Sequence, residues 1–224
     1  MTTFRYALFD YGSPRGMQRG YFGTIHGYPE RRVVEPGECM PVCVRIGAVP
    51  RLMAAQWSSA GTTAHARRRS GRPGHGLTPQ MFARSRTYGP LYHRRQRCLV
   101  PASGYYRTRS SGSDGSAVYV RSRDRGLVAF AGLWEQRITP EGTIQLAFAI
   151  VTRMSDSGIE TDEPLILAPE QYDAWLDDED PRHLLTQHAA HLVTVEAPRP
   201  DIVGLSGVPA HTVAGSPAAR GMNP

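Results

Sequence analysis

The chain has 224 residues, a formal net charge of +6, 40% hydrophobic residues and 21% charged residues. This composition excludes a disordered polyelectrolyte, and the longest uncharged runs are too short to cross a bilayer. The length suits one folded domain with a sizeable core, so we expect a protein of the cytoplasm with no membrane partner.

Segments rich in Val, Ile, Tyr or Phe and bounded by turn residues predict strands. In chain order they are Arg5–Phe9, Pro41–Ile46, Ala117–Val120, Leu127–Leu133, Ile144–Thr152 and Leu165–Leu167. Helical spacing and start signals predict helices at Pro79–Ser85, Tyr88–Arg97, Pro169–Asp177 and Pro181–His188. The fold class is therefore α+β, with a sheet or barrel as its core. Residues 1–198 are expected to form a single domain, and residues 199–224 a tail rich in Pro, Gly and Ala.

Charge is distributed unevenly along the chain. All 26 basic residues are arginine, and residues 1–137 hold 22 of them against seven acidic residues, a net charge of +15. Residues 138–224 hold four arginines against 13 acidic residues, a net charge of −9. No acidic residue occurs between Glu38 and Asp114. Because arginine binds phosphates and stacks on bases, this stretch favours a nucleic-acid strand as partner, the alternative being a solubilising face that neutralises the acidic third.

Other site types find little support in the sequence. Three cysteines, Cys39, Cys43 and Cys98, lack zinc-type spacing and are predicted to be reduced and buried. The loop histidines have no neighbouring carboxylate, so no metal site is predicted. We find no motif for a phosphate-binding loop, a dinucleotide, a zinc protease or a serine hydrolase, and we expect no cofactor.

Several short segments in a fixed order carry a family resemblance. They are residues 97–106 (RCLVPASGYY), 130–135 (FAGLWE), 149–152 (AIVT), 163–167 (EPLIL) and 175–176 (WL), with weaker matches at 5–8 (RYAL), 35–37 (EPG), Trp57 and 82–85 (FARS). In order and spacing they resemble the SOS response-associated peptidase (SRAP) family. The resemblance covers about residues 3–180.

The resemblance implies a mixed or antiparallel barrel-like sheet, flanked by a few short helices, and a basic groove for single-stranded DNA with abasic sites. In this family the initiator Met is removed, and the amine and thiol of the new N-terminal cysteine condense with the sugar aldehyde into a thiazolidine. The protein is thereby crosslinked to DNA, while an Asn, a Glu and a His position the sugar and move protons.

The chain departs from the family at every one of these reactive positions. The cysteine position holds Thr3 or, if an insertion is allowed, Thr2; the Asn position holds Phe82, the Glu position Arg107, and the His position Glu160. Residues matching the strand-binding positions remain. These are Arg5, Pro36, Arg84 and Thr152, to which the acid-free stretch adds Arg86, Arg67, Arg68 and Arg69 as candidate DNA contacts.

Three hypotheses about function stay open at this point. The first is a protein of the SOS response that binds single-stranded or abasic DNA with impaired or lost crosslinking; any remaining reaction would use the amine and hydroxyl of Thr2, forming a Schiff base and an oxazolidine. The second is a non-enzymatic basic DNA-binding module on the same fold. The third is a protein-interaction module that meets an acidic partner. Whether the chain is an enzyme and which oligomeric state it adopts are left open.

The sign reversal at two family positions predicts a further contact. Arg107 stands where the family has an acid, and Glu160 stands where it has a histidine. If both lie at one pocket, we expect them to pair with each other and to close it together with Phe82.

Overall fold

A computed structural model describes residues 5–9, 18–28, 30–58, 76–108, 117–155, 160–186 and 192–196. Thirteen strands in these ranges form three sheets. The strands are β1 (Arg5–Leu8), β2 (Arg31–Val34), β3 (Cys39–Ile46), β4 (Val49–Trp57), β5 (Arg97–Ala102), β6 (Gly104–Thr108), β7 (Ala117–Ser122), β8 (Val128–Ile138), β9 (Ile144–Ile150), β10 (Thr152–Met154), β11 (Glu160–Pro164), β12 (Ile166–Leu167) and β13 (Leu192–Glu196).

The core is a closed five-stranded barrel. Its strands follow the order β8-β5-β3-β4-β9, and β9 pairs with β8 to close the circle. β12 pairs with the first part of β8, at Ala129 and Phe130, before the segment that pairs with β9. All pairings are antiparallel except β4 with β9, which run parallel. The predicted α+β class with a mixed, barrel-like sheet is confirmed.

A second sheet of five strands, in the order β13-β7-β6-β1-β2, packs against this barrel. Tyr6 on β1 lies edge-on to Trp57 and Phe130 of the barrel, at ring-centroid distances of 5.1 and 5.8 Å. Tyr105 on β6 contacts Phe130 in the same way, at 6.2 Å. These aromatic contacts bury the N-terminal strand, so Arg5–Leu8 is confirmed as a strand.

The helices are short. They are α1 (Gln18–Phe22), α2 (Pro79–Arg84), α3 (Tyr88–His93) and α4 (Tyr172–Asp177), with 3-10 turns at Ile25–Gly27, Pro169–Gln171 and Pro181–Leu184. None of the helices in the described ranges has the length and apolar character needed to cross a membrane.

Several sequence-based expectations were wrong, including the predicted helix Pro181–His188, which is a 3-10 turn at Pro181–Leu184. The predicted helix Tyr88–Arg97 ends at His93, because Arg95 adopts a left-handed conformation with φ of 59° and Arg97 already begins β5. The predicted strand Ile144–Thr152 divides at Val151 into β9 and β10. Of the cysteines expected to be buried, Cys39 is exposed at the start of β3, whereas Cys43 and Cys98 are buried.

Two glycines explain parts of the family segments. A Cβ on Gly132 would lie 2.8 Å from Cys98 Sγ and 3.1 Å from the Ala149 carbonyl oxygen, so three barrel strands approach too closely for a side chain. A Cβ on Gly104 would lie 2.7 Å from the Tyr119 ring. These close approaches account for glycine at both positions.

Arg97 on β5 connects the barrel with α4 through hydrogen bonds. Its guanidinium is buried and donates hydrogen bonds of 2.8 Å to the Trp175 and Asp178 carbonyl oxygens and of 3.3 Å to the Tyr92 carbonyl oxygen. Burial lowers the pKa of Arg97. Since the carbonyl oxygens at the end of α4 carry partial negative charge, they stabilise the cation without a carboxylate in contact.

Candidate nucleic-acid interface

The start of β1 lies beside a tight turn that carries Pro36. Tyr6 pairs with Val34 of β2, and Arg5 Nη2 lies 3.1 Å from Glu35 Oε1. The following turn needs Gly37, whose φ is +102°, and Gly37 N donates to the Trp57 carbonyl oxygen at 2.8 Å. The structure thus brings Arg5 and the Pro36 turn together, although Arg5 already forms an ion pair with Glu35.

An ion cluster lies where three strands meet. Arg107 Nη1 on β6 is 2.6 Å from Glu163 Oε1 on β11, and Arg153 Nε on β10 is 2.9 Å from Glu163 Oε2. The three side chains are between 19% and 42% exposed, so the cluster is partly screened by water. Burial, and then the negative charge of Glu163, raise the pKa of Tyr105 beside them.

This cluster differs from the expected pairing of Arg107 with Glu160. The carboxylate in contact with Arg107 is that of Glu163, three residues further along β11 and next to the Pro164 that pairs with Thr152. The side chains of Glu160 and Phe82 lie outside the described part of the structure, so the contact with Glu160 stays a prediction. Sequence reasoning missed Glu163 and Arg153. The available signal was that Glu163 begins the matched segment 163–167 and that Arg153 directly follows the matched segment 149–152.

Thr152 lies beneath the surface of this region. It is 1% exposed, its backbone N–H donates to the Leu77 carbonyl oxygen at 3.0 Å, and its hydroxyl has no partner among the described residues. A DNA strand could contact this hydroxyl only if the protein groups that cover it moved. Thr152 nevertheless immediately precedes Arg153 of the ion cluster.

Arginines without ion pairs lie on α2 and on the segments that follow α2 and α3. Arg84 ends α2, Arg86 stands in the turn after it, and Arg94 follows α3; each is exposed and forms no ion pair with a described carboxylate. Ser85 Oγ fixes the turn by accepting hydrogen bonds from Thr87 N at 3.2 Å and Tyr88 N at 3.1 Å. The other predicted contacts, Arg67, Arg68 and Arg69, lie outside the described residues, as do Thr2 and Thr3.

Helix α2 connects this basic surface with β10. It packs against both α3 and β10, so the helix that ends at Arg84 is a neighbour of the strand that begins at Thr152. Among the described residues, no group of three His, Cys, Asp or Glu side chains is arranged to hold a metal ion.

The groups at the ion cluster are poorly suited to proton transfer. Both carboxylate oxygens of Glu163 are engaged by arginines, and a guanidinium does not give up its proton near neutral pH. A general base needs a free oxygen or nitrogen within reach of the proton it removes. The cluster is better suited to orient side chains and to attract an anion.

A closed barrel packed on a second sheet, with exposed arginines that pair with no described carboxylate beside two short helices, defines a β-barrel protein with a basic candidate binding surface. The family model described as SOS response associated peptidase (SRAP) matches residues 22–199, so the chain belongs to that family. The family assigns it to the proteins associated with the SOS response and supports a function related to DNA damage. None of the curated proteins matches the chain.

Solved structures share this fold at low sequence identity. One protein from Bordetella bronchiseptica has a TM-score of 0.68 at 18% identity, covering 88% of this chain and 99% of its own. A phage-related protein from the same organism has a TM-score of 0.59 at 19% identity, covering 86% and 93%. A protein from Bacteroides thetaiotaomicron has a TM-score of 0.58 at 16% identity, covering 75% and 78%. These likenesses show the fold alone.

Proposed function

We propose that this protein binds single-stranded DNA, including strands with abasic sites, and that it does not form the thiazolidine crosslink of its family. The observation that carries the binding is the set of exposed arginines at and after α2, which have no ion pair with a described carboxylate and of which Arg84 stands at a family strand-binding position. Unpaired arginines repel one another, and phosphates relieve that repulsion.

Loss of the crosslink follows from the residues at the reactive positions. Thr2 and Thr3 carry hydroxyls, which are far weaker nucleophiles than a thiolate at neutral pH. Arg107 stands at the position where the family has an acid, and it forms an ion pair with Glu163. An amine and hydroxyl that still condensed with the sugar aldehyde would give a weaker and more reversible product. Binding to chromosomal DNA would place the protein in the cytoplasm, at the nucleoid.

The test compares two labelled single strands, one intact and one with a single abasic site. We expect both to bind with a dissociation constant that rises steeply with sodium chloride concentration, and neither to give a band that survives a denaturing gel. Mass analysis of the N-terminus checks whether Met1 is removed.

Each other outcome selects a different function. A denaturation-resistant band with the abasic strand would overturn the loss of crosslinking and identify Thr2 or Thr3 as reactive. No binding to either strand would overturn the DNA proposal and favour the protein-interaction module.

A further inference from the structure

A cavity of about 320 Å³ lies between the basic helices and the end of β10. This volume is at the lower end of the range for small-molecule sites. Its walls come from α2, α3, β10 and the turn Pro181–Leu184 with the residue after it; they include Gln80, Tyr92, His93, Met154, Arg182 and Leu185.

The cavity is held in shape by hydrogen bonds around Asp180. The Tyr92 hydroxyl donates to Asp180 Oδ1 at 3.1 Å, and Arg182 Nε donates to Asp180 Oδ2 at 2.6 Å. Behind the wall, the Arg97 guanidinium lies 5.1 Å from the Tyr92 ring centroid. Met154 is fixed from the other side, since its N–H donates to the Leu185 carbonyl oxygen at 2.8 Å. The site is therefore preformed, which lowers the entropic cost of binding.

The chemistry of the walls suits a flat heteroaromatic ring. Met154 offers apolar surface, the mostly buried Leu185 and Tyr92 add small apolar and aromatic areas to the wall, and the exposed Gln80 contributes an amide to the lining. His93 and Arg182 are exposed and add donors at the rim. Aromatic and apolar side chains with a few polar groups are the usual means by which proteins hold an unstacked base.

The surroundings favour a base that belongs to a strand. The helices that form two of the walls are followed directly by the exposed arginines Arg86, Arg94 and Arg95, and α2 ends at Arg84. Phosphates on these arginines would bring the sugar and base of one nucleotide close to the cavity that α2 and α3 line. A free nucleotide, with one phosphate group, could use only part of this surface.

We propose that this cavity holds one unstacked nucleobase of the single strand that lies along α2 and α3. The inference rests on the proposed DNA binding and adds a base-binding site whose residues are not those of the ion cluster. It assigns Gln80, His93 and Met154 to base contacts, in contrast to the phosphate contacts of the arginines.

The experiment uses the full chain and two probes of equal length and charge: a labelled oligothymidylate, and a phosphodiester chain of tetrahydrofuran units that has no bases. We expect the oligothymidylate to bind about fivefold tighter or more at the same salt concentration, since contact with one base is worth that factor. Both probes should show the same salt dependence.

Filling the cavity provides the decisive variant. Gln80 is exposed, so Gln80→Trp leaves the core intact while its ring occupies the base site. The preference for oligothymidylate should disappear, whereas binding of the baseless probe should stay as in the wild type. Gln136→Trp, at an exposed position on β8 outside the cavity lining, is the matched control and should keep the preference.

Failures of the two proposals are distinguishable. If neither probe binds, the proposed function and this inference both fail. If both probes bind equally, or if Gln80→Trp keeps the preference, the base site fails and DNA binding stands. Thymidine monophosphate that bound as tightly as the oligothymidylate would reassign the cavity to free nucleotides.

An oligonucleotide with one 5-iodouracil should photocrosslink to the peptides containing His93 or Met154, and crosslinks found only elsewhere would overturn the inference.

Discussion

The arginines of the acid-free stretch divide into two regions with opposite uses. Toward α4, Arg45 Nη1 lies 2.8 Å from Asp177 Oδ2 and its other nitrogen contacts Asp173, while Arg97 is buried among carbonyl oxygens. On the α2 and α3 side, Arg84, Arg86 and Arg94 are exposed and form no ion pair with a described carboxylate. The first region uses positive charge to attach the acidic part of the chain to the barrel, and the second presents it to solvent.

The comparison shows that ion pairs among the described residues neutralise only some of the arginines of the basic part of the sequence. Acidic residues after position 138 return to pair with Arg45, Arg107 and Arg153. None of the described acids reaches Arg84 or Arg86. The proposed binding surface therefore consists of arginines that pair with no described carboxylate, and mutations in the two regions should separate stability from binding.

The largest expected effect belongs to Arg97. Arg97→Ala removes a donor from the carbonyl oxygens of Trp175, Asp178 and Tyr92 and leaves a cavity where a large buried side chain was, and should lower the free energy of unfolding by at least about 3 kcal/mol. Arg94→Ala, at an exposed position, should change it by less than about 0.5 kcal/mol. Urea denaturation measures both. A similar small change in each variant would remove the distinction between the two regions.

DNA binding should respond in the opposite way. Arg84→Ala/Arg86→Ala should weaken binding to single-stranded DNA and reduce the slope of its salt dependence by about 0.7 for each lost phosphate contact. The unfolding free energy should stay within about 0.5 kcal/mol of the wild type, because both side chains are exposed.

The matched control for this pair is Arg51→Ala/Arg123→Ala. It removes the same charge from exposed positions on β4 and after β7. Fluorescence anisotropy at several salt concentrations should show a smaller change in slope than with the α2 pair. Equal slopes in the two double variants would mean that only net charge matters.

Arg45 should show a moderate effect on stability. Its side chain is 19% exposed, but Asp173 and Asp177 are 61% and 44% exposed, so water screens the pairs. We expect Arg45→Ala to cost about 1 kcal/mol in thermal or urea denaturation and to leave DNA affinity unchanged. A loss of affinity without a loss of stability would move Arg45 into the binding region.

The smallest expected effect is on stability at acid pH, and it concerns Asp180 beside the proposed nucleobase cavity. The hydrogen bond from Arg182, and then that from Tyr92, lower the pKa of Asp180 from 3.8 to about 2. Because the folded state holds this carboxylate ionised, its stabilising contribution is present above pH 4 and is lost as the pH falls toward 2. In Asp180→Asn the decline of stability over this window should be shallower than in the wild type, whereas Glu179→Gln should retain the wild-type decline. Identical profiles for all three proteins would contradict the assignment.

Most of the fold could be predicted from local patterns, but several partners could not. The alternating Arg5–Leu8 and the Val- and Ile-rich segments predicted strands because side-chain alternation is a local property. The strands β2, β4, β5, β6, β11 and β13 were missed. Two of them belong to the barrel: β4 contains Pro50 and two alanines, and the helix predicted up to Arg97 concealed the start of β5. Their strand conformation comes from barrel pairing, which short-range propensity does not encode.

The same limit applies to the candidate site. Arg84 and Arg86 could be found from the absence of acids around them, a feature of the sequence itself. Glu163 as the partner of Arg107 depends on the register that places Pro164 opposite Thr152 and on the position of β11 relative to β6. That relation exists only after three strands from different parts of the chain have assembled.

The ion cluster around Glu163 also makes some changes of sequence difficult to reach one at a time. Arg107→Glu would set two carboxylates against each other, with Arg153 as the described cation that compensates. Removing Glu163 first would leave Arg107 and Arg153 facing one another. An acid at position 107 therefore requires a coordinated replacement at Glu163, with a less stable protein at either intermediate. The charges of this cluster can be exchanged together more easily than one at a time.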